Sequence, residues 1–118
     1  MLLLGERITV RDMRESDADF MLALLNSPGF IDNIGDRNIR TRQQVIDKIH
    51  QVYTLEYPVY GLFTVVNNQT NEPLGTVSYL KREHLSHDDI GYAFLPQHFG
   101  QGYAFEASKL LLDHVINQ

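Results

Sequence analysis

The chain has 118 residues, 43% of them apolar and 21% charged, which describes one globular domain at most and argues against disorder. A net charge of −5 and a pI near 5.4 argue against nucleic acid as a direct partner, because binding a phosphate backbone relies on clustered Lys and Arg. The chain has no cysteine, so disulfides, thiolate metal sites and a Cys nucleophile are excluded.

Met1-Leu2-Leu3-Leu4 has no basic segment ahead of it and runs straight into Gly5-Glu6-Arg7, unlike a secretory leader. No stretch approaches the roughly 20 apolar residues of a membrane span. A cytoplasmic protein with no membrane partner is expected. Arg7-Ile8-Thr9-Val10-Arg11 alternates polar and apolar residues, the pattern of a half-buried strand. Ser16 and Asp17 supply helix-starting chemistry, and a first helix carries Phe20, Leu22, Ala23, Leu24 and Leu25 up to the cluster Asn26-Ser27-Pro28-Gly29. The stretch from Phe30 to Arg40 shows no period and contains Asn33, Gly35 and Asn38, so it reads as a surface loop. Thr41 then N-caps a second helix with Val45, Ile46, Ile49, Val52 and Tyr53 on one apolar face.

After Tyr57-Pro58 the pattern turns to strands. Tyr60 to Val66 and Leu74 to Leu80 flank Asn67-Asn68-Gln69-Thr70-Asn71-Glu72-Pro73, a hairpin loop by length and composition. The polar segment from Lys81 to Asp88 reads as a second hairpin loop, leading to a strand from Asp89 to Leu95. Three antiparallel strands therefore precede a two-glycine turn. The final helix carries Ala104, Ala107, Leu110, Leu111 and Val115 on one side and is still periodic at Gln118, with no closing glycine or proline. That ending predicts a piece of a longer domain.

Gly100 and Gly102 stand between an apolar strand and a helix. Glycine tolerates unusual backbone angles, so consecutive N–H groups can face outward at the positive end of the helix dipole, which is a seat for an anion. A P-loop would need Gly-x-x-x-x-Gly-Lys and then Ser or Thr, and no such run is present. A dinucleotide fingerprint would want Gly or Ala where Phe105 stands, and an early parallel βαβ unit instead of hairpin-linked strands.

Gln97-x-x-Gly100-x-Gly102, preceded by Ile90-Gly91-Tyr92 and followed by Glu106-Ala107, resembles the acetyl-coenzyme A motif of the GNAT N-acetyltransferase superfamily. The opening Glu6-Arg7-Ile8-Thr9-Val10-Arg11 with Asp17 resembles the start of its RimJ/RimL branch, which acetylates protein N-termini. The resemblance implies an α+β fold with a mixed, mostly antiparallel sheet flanked by helices, in the order β-α-α-β-β-β-α and lacking the usual C-terminal strand-helix-strand portion. Residues 1–118 would then be one acetyltransferase-like domain, the first two thirds of a longer fold. It implies acetyl-coenzyme A as cosubstrate and direct transfer to a primary amine, with no protein nucleophile and no metal. A homodimer is a further expectation. The other functional class open to such a chain is a noncatalytic coenzyme A-binding or interaction module, pairing through an open sheet edge.

On this reading, amides from His98 through Phe99, Gly100, Gln101, Gly102 and Tyr103 to Ala104 hold the pyrophosphate, Gln97 opens the motif, and backbone groups of Ala93, Phe94 and Leu95 pair with pantetheine. Gly91 and Ala93 form the small face of the strand, either packed on a helix or leaving room for a thioester. Phe30, Ile31 and Asn33 border the acceptor cleft. A free α-amino group titrates at about pH 7.7–8.0 in water, so a modest base suffices. Glu83, His84 and Asp89, with His87 and Asp88 nearby, are the candidates for that base. Their alternative is a solvated hairpin loop. His84-x-x-His87 beside Asp88-Asp89 also has metal-ligand chemistry, but a loop holds ligands loosely and the reaction needs no metal. Glu106 sits in the first turn of the last helix, where a carboxylate meets the dipole favourably.

Overall fold

The alternating and apolar segments form one antiparallel sheet in the order β1-β2-β3-β4-β5, with β1 at Leu2–Leu4, β2 at Ile8–Asp12, β3 at Gly61–Asn67, β4 at Pro73–Leu80 and β5 at Asp89–Phe94. The structure, a computed structural model, describes residues 2–55, 57, 61–80 and 89–116. Helices α1 (Ala18–Leu25), α2 (Pro28–Asn33) and α3 (Arg42–Lys48) follow β2, and α4 (Tyr103–Ile116) follows β5. The α+β class and antiparallel pairing agree with the sequence reading. Central β3 is buried along nearly its whole length, as its unbroken run Leu62-Phe63-Thr64-Val65-Val66 requires of a strand covered on both faces.

Each face has its own core. Under α4, Ile8, Val10, Phe63, Val65, Leu74, Val77 and Phe94 pack with Ala107 and Leu111. On the other face Met13, Ala18, Met21, Leu24, Leu25, Ile39, Val45 and Ile49 join α1 and α3 to the sheet. Burial of each large side chain of this kind contributes about 1.5–3 kcal/mol. The expected α4 stripe is the packed one. On α1 the stripe is shifted: Met21 is buried and Ala23 is exposed.

Three local readings are corrected. Leu2–Leu4 forms an edge strand, β1, which three identical apolar residues without alternation did not announce. The Phe30–Arg40 loop begins as helix: Ser27 Oγ accepts from Phe30 N at 3.4 Å and Pro28 occupies the first helical position, so the cluster that ends α1 also starts α2. Thr41 caps α3 as expected, completed by Gln44 Oε1 accepting from Thr41 N at 3.1 Å. The helix then widens into a π turn, Ile49–Tyr53, closed by Thr54 N donating to Ile49 O at 3.2 Å. The wider turn rotates Val52 off the expected face, leaving it 52% exposed.

Asp17 is a buried anion that also closes the helical turn ahead of α1, by accepting from Arg14 N. Its carboxylate makes a two-pronged pair with Arg11, both contacts at 2.8 Å, and accepts from Arg14 N and Thr64 Oγ1 at 3.0 Å each. Arg11 and Thr64 face each other in the β2–β3 register, so Asp17 ties the start of α1 to two strands. Burial pushes its carboxyl up, but the Arg11 guanidinium and the Arg14 and Thr64 donors outweigh that and hold it below the usual carboxylate range.

Tyr57 fastens the same region. Its ring stacks on Phe63 at 4.8 Å between centroids, its hydroxyl donates to Leu62 O and it accepts from Met13 N at 3.0 Å. Burial, opposed by the Met13 donor, pushes the phenol up to about 12. Tyr57→Phe keeps the stack but leaves Met13 N without its acceptor, and urea denaturation should show a loss of about 1–3 kcal/mol. An unchanged midpoint would contradict this assignment.

Candidate anion-binding site

β5 ends at Phe94, and Pro96 starts a single 3-10 turn, Pro96–His98, in which His98 N donates to Leu95 O at 2.9 Å and Phe99 N to Pro96 O at 3.2 Å. The chain then passes through Gly100 at φ +76° and Gly102 at φ +80°, left-handed conformations that favour glycine, and Gly102 O accepts the first hydrogen bond of α4 from Glu106 N at 3.1 Å. Among the described residues, the amides of Gly100, Gln101, Gly102, Tyr103 and Ala104 have no acceptor in the protein. These are the orphan donors of a helix start together with the turn that feeds it, at the positive end of a 14-residue helix. The expected donor run therefore shortens, because the His98 and Phe99 amides are engaged within the turn.

A cavity of about 510 Å³ opens beside these amides, lined on one side by Gly29, Phe30, Asn33 and Ile34 and on the other by Tyr92, Ala93, Phe94, His98, Phe99, Gly100, Gly102, Tyr103 and Ala104. Among the described residues no Asp or Glu belongs to this lining. The Glu106 carboxylate, at the start of α4, is turned to Arg7: Arg7 Nε donates to Glu106 Oε1 at 2.7 Å and Arg7 N to Glu106 Oε2 at 3.1 Å. Arg7 also donates from one terminal nitrogen to Gln101 O at 2.9 Å and lies 4.8 Å from the Tyr103 ring centre. A residue at the head of β2 thus clamps the turn and neutralises an anion that would compete with a ligand. Arg7→Ala should weaken anion binding several-fold while changing stability by less than about 1 kcal/mol, since the pair is exposed. Unfolding of the variant, or unaltered binding by calorimetry, would rule the clamp out.

The structure brings most of the expected residues together. Ala93, Phe94, His98, Phe99, Gly100, Gly102, Tyr103 and Ala104 line the cavity, joined by Phe30 and Asn33; Leu95, Gln97, Gln101 and Ile31 do not. Gln97 is exposed, and its carbonyl accepts from Gln101 Nε2 at 3.4 Å. Leu95 N donates to Leu74 O at 3.2 Å, and by the alternation of an antiparallel ladder Ala93 also turns its main chain to β4. Of the three residues expected to offer main-chain groups to a ligand, Phe94 alone faces the outer edge, along with Tyr92. His98 Nε2 is buried without a hydrogen bond, 3.7 Å from Glu72 Oε1. Glu83, His84, His87 and Asp88 lie outside the described residues. So does the side chain of Asp89, whose backbone opens β5 opposite Leu80.

Local sequence signals do not reveal Ile34 or Arg7. Phe30, Asn33 and Ile34 share one face at helical spacing, which becomes visible only when α2 is read as a helix. The Arg7–Glu106 pair spans 99 positions and leaves no local trace.

The family model described as "Acetyltransferase (GNAT) domain" matches residues 7–118. An uncharacterized N-acetyltransferase of Bacillus licheniformis, p20, is 26% identical over 114 residues, covering 95% of this chain and 64% of the relative. The chain thus spans less than two thirds of that relative's length. In fold it is similar to an acetyltransferase (GNAT family) from Bacillus anthracis, with a TM-score of 0.78 and 21% identity over 97% of this chain and 65% of the other. It is also similar to ribosomal-protein-S5-alanine acetyltransferase from Vibrio fischeri, with a TM-score of 0.67 and 20% identity over 96% of this chain and 66% of the other.

Proposed function

Since the chain belongs to the GNAT acetyltransferase domain family, we propose that its glycine turn seats the diphosphate of acetyl-coenzyme A and that the adjoining cavity hosts acetyl transfer to a primary amine, a protein N-terminus being one such acceptor. The observation that carries this reading is the run of acceptor-free amides from Gly100 through Ala104, beside a cavity whose wall holds no carboxylate among the described residues. Tyr92 and Phe94 offer outward main-chain groups to the amide-rich arm of the same molecule. The neutral amine attacks the thioester carbonyl directly; positioning and hydrogen-bond donors aimed at the developing oxyanion supply the rate. Among the described residues no helix is long and apolar enough to cross a membrane, and no group of side chains is arranged to hold a metal ion.

Thermal unfolding tests the reading. Acetyl-coenzyme A should raise the midpoint in a saturable way, by about 2.7 kcal/mol of stabilisation at one hundred times its Kd, while ATP and NAD do little. Equal shifts from all three, or none, would contradict it. Thiol release with peptide amines then separates an enzyme from a binding module, against no thiol background from a chain without cysteine.

A further inference from the structure

A second cavity, of about 360 Å³, adjoins the first and shares Phe30, Ile34, Tyr92 and Ala93 with it. It is roofed by α1 and α2 and floored by the small face of β5, where Gly91 and Ala93 stand beside the Ser78 and Thr76 hydroxyls of β4. Gly91 and Ala93 border this space, and Ala93 also packs against the helix-side core. Met21, Leu24, Leu25 and Leu62 make the wall apolar. Among the described residues one charged side chain belongs to the lining, Arg37, and no acidic one does. Among the described residues Arg37 has neither an ion pair nor a hydrogen bond, whereas Arg7, Arg11, Arg40 and Arg42 are all paired. Its charge reaches the wall: burial pushes the Tyr53 phenol up, and Arg37 pulls it partly back.

We propose that this second cavity is the acceptor subsite, and that the acceptor is an amino-acid-sized primary amine carrying a bulky apolar side chain and a carboxylate. The inference rests on the acetyl-transfer reading above and narrows its acceptor to a free amino acid in place of a protein N-terminus. The apolar group fills the space between Met21, Leu24 and Leu62, the carboxylate meets Arg37, and the amine stands at the border shared with the first cavity. The volume is near the lower end of small-molecule sites, which fits one residue and not a folded surface. A polyamine fits poorly, because its second ammonium would enter an apolar wall or approach Arg37. In the reaction the amine nitrogen bonds to the thioester carbonyl carbon, the carbon–sulfur bond breaks, the nitrogen loses a proton and the sulfur leaves as thiolate and gains one.

Calorimetric titration of the chain, with and without saturating coenzyme A, tests this using L-phenylalanine, L-leucine, their carboxamides and spermidine. The free acids should bind at least tenfold more tightly than the carboxamides and than spermidine. Arg37→Gln should bind acids and carboxamides equally, with its thermal protection by coenzyme A unchanged. Carboxamides binding as well as acids, spermidine binding better, or discrimination surviving in Arg37→Gln would each overturn the proposal. So would acids failing to bind. Protection by coenzyme A reports separately on the reading beneath it: its loss with acid discrimination intact removes acetyl transfer and not the carboxylate-selective cavity.

Discussion

Asp17→Asn is expected to cost about 3–5 kcal/mol of stability, the effect of leaving one member of a buried ion pair without its partner. The native carboxylate is 2% exposed and is shared by Arg11, Arg14 N and Thr64 Oγ1; asparagine leaves the Arg11 guanidinium, itself only 14% exposed, facing a neutral amide. For a small domain this is a large part of the total. The double variant Arg11→Met/Asp17→Leu should lose less than Asp17→Asn, because it removes both charges together. The pH dependence has a definite sign. The folded carboxyl titrates below its unfolded value, so its contribution is complete above the unfolded pKa near 4 and disappears as pH falls through the folded value. Urea midpoints of the native chain should therefore fall steeply below about pH 4, and those of Asp17→Asn should fall less. Parallel curves for the two proteins would show that Asp17 does not carry this dependence.

Gly102→Val should lower affinity for acetyl-coenzyme A about 10- to 100-fold in a protein that still folds. At φ +80° a side chain is strained by about 1–2 kcal/mol, and β-branching adds to that. A Cβ at this position would also lie 3.4 Å from a terminal nitrogen of Arg7, the residue that clamps the turn, so the valine methyls press on the clamp. Gly100 provides the control. It has φ +76°, but a Cβ there meets nothing within 4 Å, so Gly100→Ala should show the backbone cost alone, about tenfold or less. Equal calorimetric affinities for the native chain and a folded Gly102→Val would refute the placement of the ligand.

What could be read from the chain followed from local physics. Strand alternation, the Thr41 cap, the Asn67–Pro73 hairpin and the glycines ahead of α4 all act within a few residues, and their elements formed where those signals stand. What escaped depends on partners distant in sequence. β1 is a strand only because β2 pairs with it, and Ser27-Pro28 ends one helix while starting another. Asp17 closes the turn ahead of α1 as its chemistry suggests, but its pairing with Arg11 and Thr64 leaves no local signal. The site divides in the same way: the glycine turn and β5 were legible, whereas the Arg7 clamp, the Ile34 wall and the Arg37 cavity exist only once α2 and β2 are folded against them.

The most direct measurement is a titration of the 15N-labelled chain with acetyl-coenzyme A, followed by its amide resonances. The account predicts saturable shifts at Gly100, Gln101, Gly102, Tyr103 and Ala104, with His98 and Phe99 moving less because their N–H groups are already bonded within the turn. Shifts confined to other parts of the chain, or none at saturating ligand, would contradict it.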